Sequence, residues 1–242
     1  MNTSFLDEAL EGYVCNTHKD YQTIGWTERL YLHVPPESIS NFQKWPQKPE
    51  NFRRVLLEYT EKLRVLNEII LKAMAKSLNL DENCFLHQFG GNQRLLSTFN
   101  FYPPCPWPDV LDANKPHSDP SGITFILQDD EVEGLQVLKK NQWHTTPLAP
   151  DAIVVNVGDQ VEIMSNGIFK SPIHRVPTNN KRERISLAFF FCPEPSFGEI
   201  KPAEGLIDEK NPRLYKNVID YLRHFRENIQ HGITRPLDAL KI

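Results

Sequence analysis

Six short segments rich in β-branched and aromatic residues lie between residues 93 and 191. They read QRLLSTFNFY, GITFILQD, GLQVLK, AIVVNVGD, IFKSPIHRV and RISLAFFF. Proline, glycine and asparagine dominate the segments between them, such as PPCPWPD, SNG and PTNNKRE. Short strands separated by turn signals at close intervals are typical of an antiparallel sandwich or barrel. The pattern therefore predicts a β-core over residues 93–200.

Two further segments have a helical period. Between residues 50 and 80, apolar side chains such as Leu56, Leu63 and Ile70 recur at steps of three and four, and charged residues occupy the other face. This spacing predicts a long amphipathic helix from near Glu50 to near Leu80. The segment RLYKNVIDYLRHFRENI, near the end of the chain, has a helical period with Tyr215, Val218, Ile219, Leu222 and Phe225 on one side, and it predicts a second helix.

The predicted fold is therefore mainly β with helices, with one long helix before the β-core and one after it, both packed outside. We divide the chain into a partial N-terminal region at residues 1–92, the core at 93–200 and a C-terminal helical extension at 201–242. We expect the three parts to form one compact unit.

Composition excludes several classes of function. The 242 residues carry a formal net charge of −4, and no block of Lys and Arg suggests a nucleic-acid partner. No apolar run approaches the roughly 18 residues that a membrane span needs, and the N-terminus has no secretory pattern. The four cysteines are scattered, as is usual in a reducing compartment. We expect a monomer in the cytoplasm.

The residues that suggest chemistry are His117 and Asp119 in KPHSDPSGITF and His174 in SPIHRV. Side chains two apart in an extended segment point the same way, so His117 and Asp119 can face one point. With His174 they would form two imidazoles and one carboxylate on one face of a metal, the arrangement of non-haem Fe(II) oxygenases. A structural zinc site would need a fourth ligand, usually a cysteine, and no cysteine has suitable spacing.

Each of these residues also has an ordinary explanation. An isolated His-x-Asp is usually a surface turn, and an isolated histidine is usually structural. Arg184 and Ser186 in RISLAFFF add weight, because they share one face of a strand and could hold a carboxylate. The alternative is an edge-strand arginine in solvent, but the apolar residues that follow favour a buried setting.

The sequence resembles the plant 2-oxoglutarate- and Fe(II)-dependent dioxygenases of specialised metabolism, from about Gly12 to Ile242. The stretches that carry the resemblance are NFYPPCPWPD, HSDPSGITFILQ, EGLQV, VVNVGDQVEIMSNGIFKSPIHRV and RISLAFF. The resemblance implies a double-stranded β-helix (jelly-roll) core. The family more often has Tyr at the position of Phe101.

The resemblance also implies roles for individual residues. The iron ligands would be His117, Asp119 and His174. Arg184 and Ser186 would bind the distal carboxylate of 2-oxoglutarate, with Asn100 and Tyr102 against the same co-substrate. Fe(II) would be the cofactor, 2-oxoglutarate and O2 the co-substrates, and ascorbate a candidate reductant.

The implied reaction is hydroxylation or oxidative demethylation of a small plant metabolite or hormone, with release of succinate and CO2. Desaturation and ring closure also occur in the family. Phe190 shares the strand face of Arg184, so we expect it to line the substrate site, and Phe125 is a second candidate. Packing in the core is the alternative for both residues.

The family's usual N-terminal strand, of the type IPVIDL, and its GFFQVINHG-like segment do not occur in the sequence. We therefore expect a chain that lacks the family's N-terminal region. The alternative function is a truncated member with weak or no activity that binds a metal or a partner. A cupin-like metal protein with another reaction is a third possibility, but it would have no use for the Arg184 and Ser186 pair.

Overall fold

The structure is a computed structural model that describes residues 11–15, 25–34, 42–91, 93–108, 111–194, 198–230 and 235–242. The partial N-terminal region predicted at 1–92 therefore lies partly outside the described residues.

Two antiparallel sheets form the centre of the described molecule. The strands are β1 (Gly12–Cys15), β2 (Glu28–Val34), β3 (Arg94–Tyr102), β4 (Asp112–His117), β5 (Ile123–Leu127), β6 (Gln136–Lys139), β7 (Gln142–Thr145), β8 (Val154–Val157), β9 (His174–Pro177) and β10 (Arg184–Cys192). The major sheet has the order β1-β2-β3-β10-β5-β8, and the minor sheet has the order β4-β9-β6-β7. The predicted jelly-roll class is confirmed.

Helices cover the outside of this core. They are α1 (Phe52–Ser77), α2 (Cys84–Phe89), α3 (Asp159–Met164) and α4 (Tyr221–Gln230), with 3₁₀ turns at Phe42–Lys44, Glu204–Leu206 and Pro236–Leu240. The predicted long helix is confirmed as α1. Among the described helices, none combines the length and the apolar character needed to cross a membrane.

The middle strand β10 separates two apolar regions. Phe189 and Phe191 point toward the α1 side, where the Phe189 ring lies 5.2 Å from Tyr59 and the Phe191 ring lies 5.5 Å from Phe125, centre to centre. Phe190 points to the opposite face, toward the minor sheet. Burying each of these rings contributes on the order of 1.5–3 kcal/mol to folding.

The structure corrects the predicted C-terminal helix, which begins only at Tyr221. Before it, Val218 and Ile200 exchange backbone hydrogen bonds of 2.8 and 3.0 Å, and Tyr215 forms a β-bridge with Lys241. These bonds to distant parts of the chain replace the local bonds that a helix would have needed.

Strands β4 and β7 were missed by the sequence reasoning. Both are rich in polar residues, and β4 contains Pro116, so neither has the apolar alternation that marks a strand. Between β6 and β7, only Lys140 and Asn141 form the turn. Both have positive φ (49° and 61°), as a two-residue hairpin between β6 and β7 requires.

A buried carboxylate attaches the C-terminal segment to α3. The Glu162 side chain is 1% exposed. It accepts hydrogen bonds from the Tyr215 hydroxyl (2.7 Å), Nη2 of Arg235 (3.0 Å) and the Ser171 amide (2.6 Å). A buried carboxylate needs such partners because its desolvation is costly. Glu162 therefore joins α3 to residues far apart in the sequence.

A second buried carboxylate, Asp159, links the same region to the His-x-Asp turn. Oδ2 of Asp159 accepts hydrogen bonds from the Tyr221 hydroxyl (2.7 Å) and from Oγ of Ser118 (3.1 Å). The Asp159 amide donates to the carbonyl of Asp119 (2.8 Å). Burial raises the pKa of Asp159 to about 6, although the bonds from Tyr221 and Ser118 act in the opposite direction.

We predict a pH-dependent stability difference between the wild type and Asp159→Asn. Because the folded-state pKa lies above the ordinary value of 3.8, the favourable contribution of neutral Asp159 is complete below about pH 4 and is lost as the pH rises to about 6. The Asn side chain stays neutral. The free energy of unfolding of the variant, relative to that of the wild type, should therefore rise by about 2–3 kcal/mol between pH 4 and pH 7.

Urea titrations of both proteins across that range measure this difference. Tyr221→Phe is the matched control. It removes a hydrogen bond that favours the ionised carboxylate of Asp159, so the pH range over which stability is lost should move upward. A difference between wild type and Asp159→Asn that does not change with pH would contradict the assignment.

Candidate active site

Three side chains that can bind a metal converge between the two sheets. His117 ends β4 and lies directly opposite His174, the first residue of β9. Oδ1 of Asp119 lies 3.4 Å from Nε2 of His174 and 3.8 Å from Nε2 of His117. The potential ligand atoms of all three residues lie within 4.8 Å of one another. The structure therefore brings the predicted triad together.

Hydrogen bonds orient each member of the triad. Nδ1 of His117 contacts the carbonyl of Lys115 at 2.7 Å, and Nδ1 of His174 contacts the carbonyl of Pro172 at 3.1 Å. Because a carbonyl can only accept, Nδ1 is the donor and Nε2 carries the free lone pair. Nδ2 of Asn156 on β8 donates to Oδ2 of Asp119 at 3.3 Å, which leaves Oδ1 toward the histidines.

The surroundings keep His117 neutral. Burial has the largest effect and the neighbouring His174 adds to it, so that the pKa of His117 falls to about 4. The Asp119 charge opposes this shift, whereas Arg29 has a smaller effect in the same direction as burial. A neutral imidazole can bind a metal without first losing a proton.

The donor set fits Fe(II). Two imidazole nitrogens and one carboxylate oxygen form a three-ligand face, and the cavity that these residues line has no cysteine among its described residues. Such a face leaves coordination positions open for other ligands. His117, Asp119 and His174 could therefore hold Fe(II) and leave room for a chelating co-substrate and dioxygen.

The four residues predicted to bind the co-substrate form one cluster beside the triad. In the pairing of β3 with β10, Asn100 lies opposite Ser186 and Tyr102 lies opposite Arg184. Nδ2 of Asn100 and the Tyr102 hydroxyl both lie 3.5 Å from Oγ of Ser186. The cluster thus offers hydroxyl, amide and guanidinium groups to a single ligand.

The Arg184 guanidinium is buried and only partly satisfied. Nε donates to the carbonyl of Val132 (3.1 Å) and Nη2 to Oε1 of Gln128 (3.4 Å), whereas Nη1 has no partner among the described residues. A buried cation with an unused donor is suited to an anion. Gly134 makes room for it, since a Cβ at that position would lie 2.7 Å from Nε of Arg184.

The triad and the co-substrate cluster line one cavity. Its remaining wall includes Phe190, as predicted from strand alternation. Phe125 is different: it is fully buried on the α1 side of β5, while its neighbours Thr124 and Ile126 face the cavity. The expectation that Phe125 lines the substrate site is therefore corrected, because the two-residue alternation of β5 turns its ring away.

Sequence reasoning missed several residues of this region. Arg29 and Tyr31 on β2 line the cavity, Asn156 orients Asp119, and Gly134 accommodates Arg184. One signal could have found two of them: the apolar residues of ERLYLHV alternate, which puts Arg29 and Tyr31 on the same face of a strand. The sequence did not reveal that β2 pairs with β3, which brings that face into the cavity.

Comparisons with known proteins agree with this geometry. A sequence model described as the 2OG-Fe(II) oxygenase superfamily matches residues 92–193. Jasmonate-induced oxygenase 2 of Arabidopsis thaliana is 41% identical over 194 residues, which cover 80% of this chain and 52% of that protein. A flavonol synthase/flavanone 3-hydroxylase of Eustoma exaltatum subsp. russellianum is 37% identical, covering 86% of this chain and 62% of the relative.

A solved structure extends the similarity to three dimensions. The crystal structure of JOX2 in complex with 2OG, Fe and JA matches with a TM-score of 0.84 and 35% identity, over 96% of this chain and 69% of that one. The chain spans about half the length of Jasmonate-induced oxygenase 2. The predicted cofactor and co-substrate, Fe(II) and 2-oxoglutarate, are those of this family. The chain belongs to the 2OG-Fe(II) oxygenase superfamily, and within it to the plant dioxygenases.

Proposed function

We propose that the protein is an Fe(II)- and 2-oxoglutarate-dependent oxygenase that hydroxylates, or oxidatively demethylates, a small plant metabolite and releases succinate and CO2. One observation carries the proposal: the His117, Asp119 and His174 triad and the Arg184 and Ser186 pair line the same cavity. A metal site without 2-oxoglutarate would not require a buried guanidinium and a hydroxyl beside it.

The relatives support the substrate class. One solved relative holds 2OG, Fe and JA together, and another relative is named as a flavonol synthase. JA and flavonols are small organic molecules. The cavity of this chain combines a polar end with an apolar wall formed by Leu135, Ala188 and Phe190. We infer a small and largely apolar substrate.

Each part of the site would have a separate task. His117, Asp119 and His174 would hold Fe(II), which supplies the redox chemistry with dioxygen and 2-oxoglutarate when it is bound. The Arg184 fork and the Ser186 hydroxyl would bind the distal carboxylate and fix the co-substrate in one orientation. Asn156 would keep one Asp119 oxygen away from the metal position. The apolar wall would exclude water from the reacting groups.

We further propose a cytoplasmic monomer. Among the described residues, no cysteine forms a disulfide, which is usual in a reducing compartment. Light scattering of the purified protein and imaging of a fluorescent fusion test the two parts of this proposal; a stable dimer or a location in an organelle would contradict it.

We predict that His174→Ala prevents metal binding and succinate formation. The substitution removes one of three ligands and leaves two, which is too few to retain Fe(II) firmly. Calorimetric titration with Mn(II), a spectroscopically simple substitute for Fe(II), measures the affinity, and succinate release measures turnover. His144→Ala, an exposed histidine on β7, is the matched control and should behave as the wild type does. Retained activity in His174→Ala would remove this residue from the ligand set.

We predict that Arg184→Ala weakens binding of 2-oxoglutarate by about tenfold to hundredfold, the usual cost of losing hydrogen bonds to a charged group. Anaerobic addition of Fe(II) and 2-oxoglutarate should give the wild type a weak visible charge-transfer band, and titration of that band measures the affinity. Metal affinity should not change, because Arg184 is not a ligand.

Arg182→Ala is the matched control for this prediction, since Arg182 is exposed, lies two residues away and pairs with Glu131 on the surface. Equal losses of metal and co-substrate affinity in Arg184→Ala would contradict the carboxylate-binding role. A wild type without any charge-transfer band and without succinate formation would support the alternative of an inactive family member.

A further inference from the structure

A second buried arginine lines the cavity, on the far side of β3 from Arg184. Arg29 on β2 is 7% exposed and lies opposite Asn100, which in turn lies opposite Ser186 on β10. The three residues form one row across three adjacent strands, and all three line the cavity. Arg29 therefore lines the same cavity as the co-substrate cluster.

The Arg29 guanidinium has unused donors. Nη1 donates to the Tyr31 hydroxyl at 3.3 Å, but Nε and Nη2 are buried and have no partner in the part of the chain that the structure describes. Nε and Nη2 lie on one edge of the guanidinium, where their parallel N–H groups match the two oxygens of a carboxylate. The free edge has the geometry of an anion receptor.

The protein offers no described counter-ion to this charge. Asp119 is the one carboxylate among the described residues that line the cavity, and it faces the two histidines and accepts from Asn156. A buried cation without a partner has a large desolvation cost. For the same reason, a mutation that removes one partner of a buried ion pair typically destabilises a protein strongly. The arrangement therefore suggests that a ligand supplies the missing negative charge.

The co-substrate does not meet this need in the proposed function. Its distal carboxylate would bind Arg184 and Ser186, and its other end would bind the metal. Beyond the polar row of Asn100 and Ser186, the same cavity has an apolar wall, formed by Tyr31, Ile126, Leu135, Ala188 and Phe190. A ligand that reaches Arg29 must therefore combine an apolar body with one anionic group.

We propose that Arg29 binds a carboxylate of the prime substrate, so that the enzyme selects small apolar monocarboxylic acids over their neutral analogues. This inference rests on the proposed function for the location of the co-substrate. Arg29 acts as a specificity residue: it anchors one end of the substrate, and the apolar wall orients the remainder toward the metal.

The test uses pairs of probes that differ only in charge, namely 4-phenylbutyrate with 4-phenylbutyramide and octanoate with octanamide. The wild-type protein is first saturated with Mn(II) and 2-oxoglutarate under argon, so that the Arg184 site is filled. Calorimetric titration then gives the dissociation constant for each probe. The wild type should bind at least one acid about tenfold to hundredfold more tightly than its amide.

Arg29→Gln should bring the acid and the amide to equal affinity and leave the affinities for Mn(II) and 2-oxoglutarate unchanged. Arg29→Met is a second variant, since an apolar side chain of similar length avoids an unpaired polar group if the Gln protein folds poorly. The matched control is Arg175→Gln: Arg175 lies on β9, stacks on Trp143 and is absent from the cavity wall. It should keep the wild-type preference.

Three outcomes would overturn the inference. The first is a wild type that prefers no acid over its amide, and the second is an Arg29→Gln or Arg29→Met protein that keeps the preference. The third is a loss of 2-oxoglutarate affinity as large as the loss of acid affinity, which would assign Arg29 to the co-substrate. Because binding of Mn(II) and 2-oxoglutarate is measured first, failure of the proposed function would appear separately, as a wild type that cannot be saturated.

Discussion

The two-residue alternation of β10, held between β3 and β5, is the constraint on which the rest of the molecule depends. One face of the strand presents Phe189 and Phe191 to the helical side of the core. The other presents Arg184, Ser186 and Phe190 to the cavity. A shift of register by one residue would exchange the two sets, burying a guanidinium among aromatic rings and exposing phenylalanines to the active site. The apolar packing against α1 therefore also fixes the polar cluster.

The metal triad depends on a different kind of support. His117 and His174 come from paired strands of the minor sheet, but Asp119 lies in the turn beyond β4 and needs help from elsewhere. That help comes from the major sheet through Asn156 and from α3 through the backbone of Asp159. The buried carboxylates of α3 are in turn held by tyrosines of the C-terminal segment. The end of the chain thus supports the turn that carries a metal ligand.

Much of the site could be predicted because its residues lie in short, chemically distinctive motifs. His117 and Asp119 are two residues apart, and Arg184, Ser186 and Phe190 follow the period of a strand. Phe125 was misplaced because period alone does not tell which face of a doubly buried strand meets a cavity. The C-terminal helix is shorter than its sequence pattern predicts, because the backbone of Val218 bonds to Ile200. Local sequence patterns do not predict such a long-range contact.

By itself, the sequence determined the strand-rich core, the amphipathic helix α1 and the identity of the residues that carry metal and carboxylate chemistry, because each depends on side-chain type and local spacing. Only the tertiary structure decided which side chains line the same cavity. The row of Arg29, Asn100 and Ser186 spans three strands that are far apart along the chain. Strand pairing is set by long-range packing of the whole sheet, so the unpaired edge of Arg29 in the cavity became visible only in the folded protein.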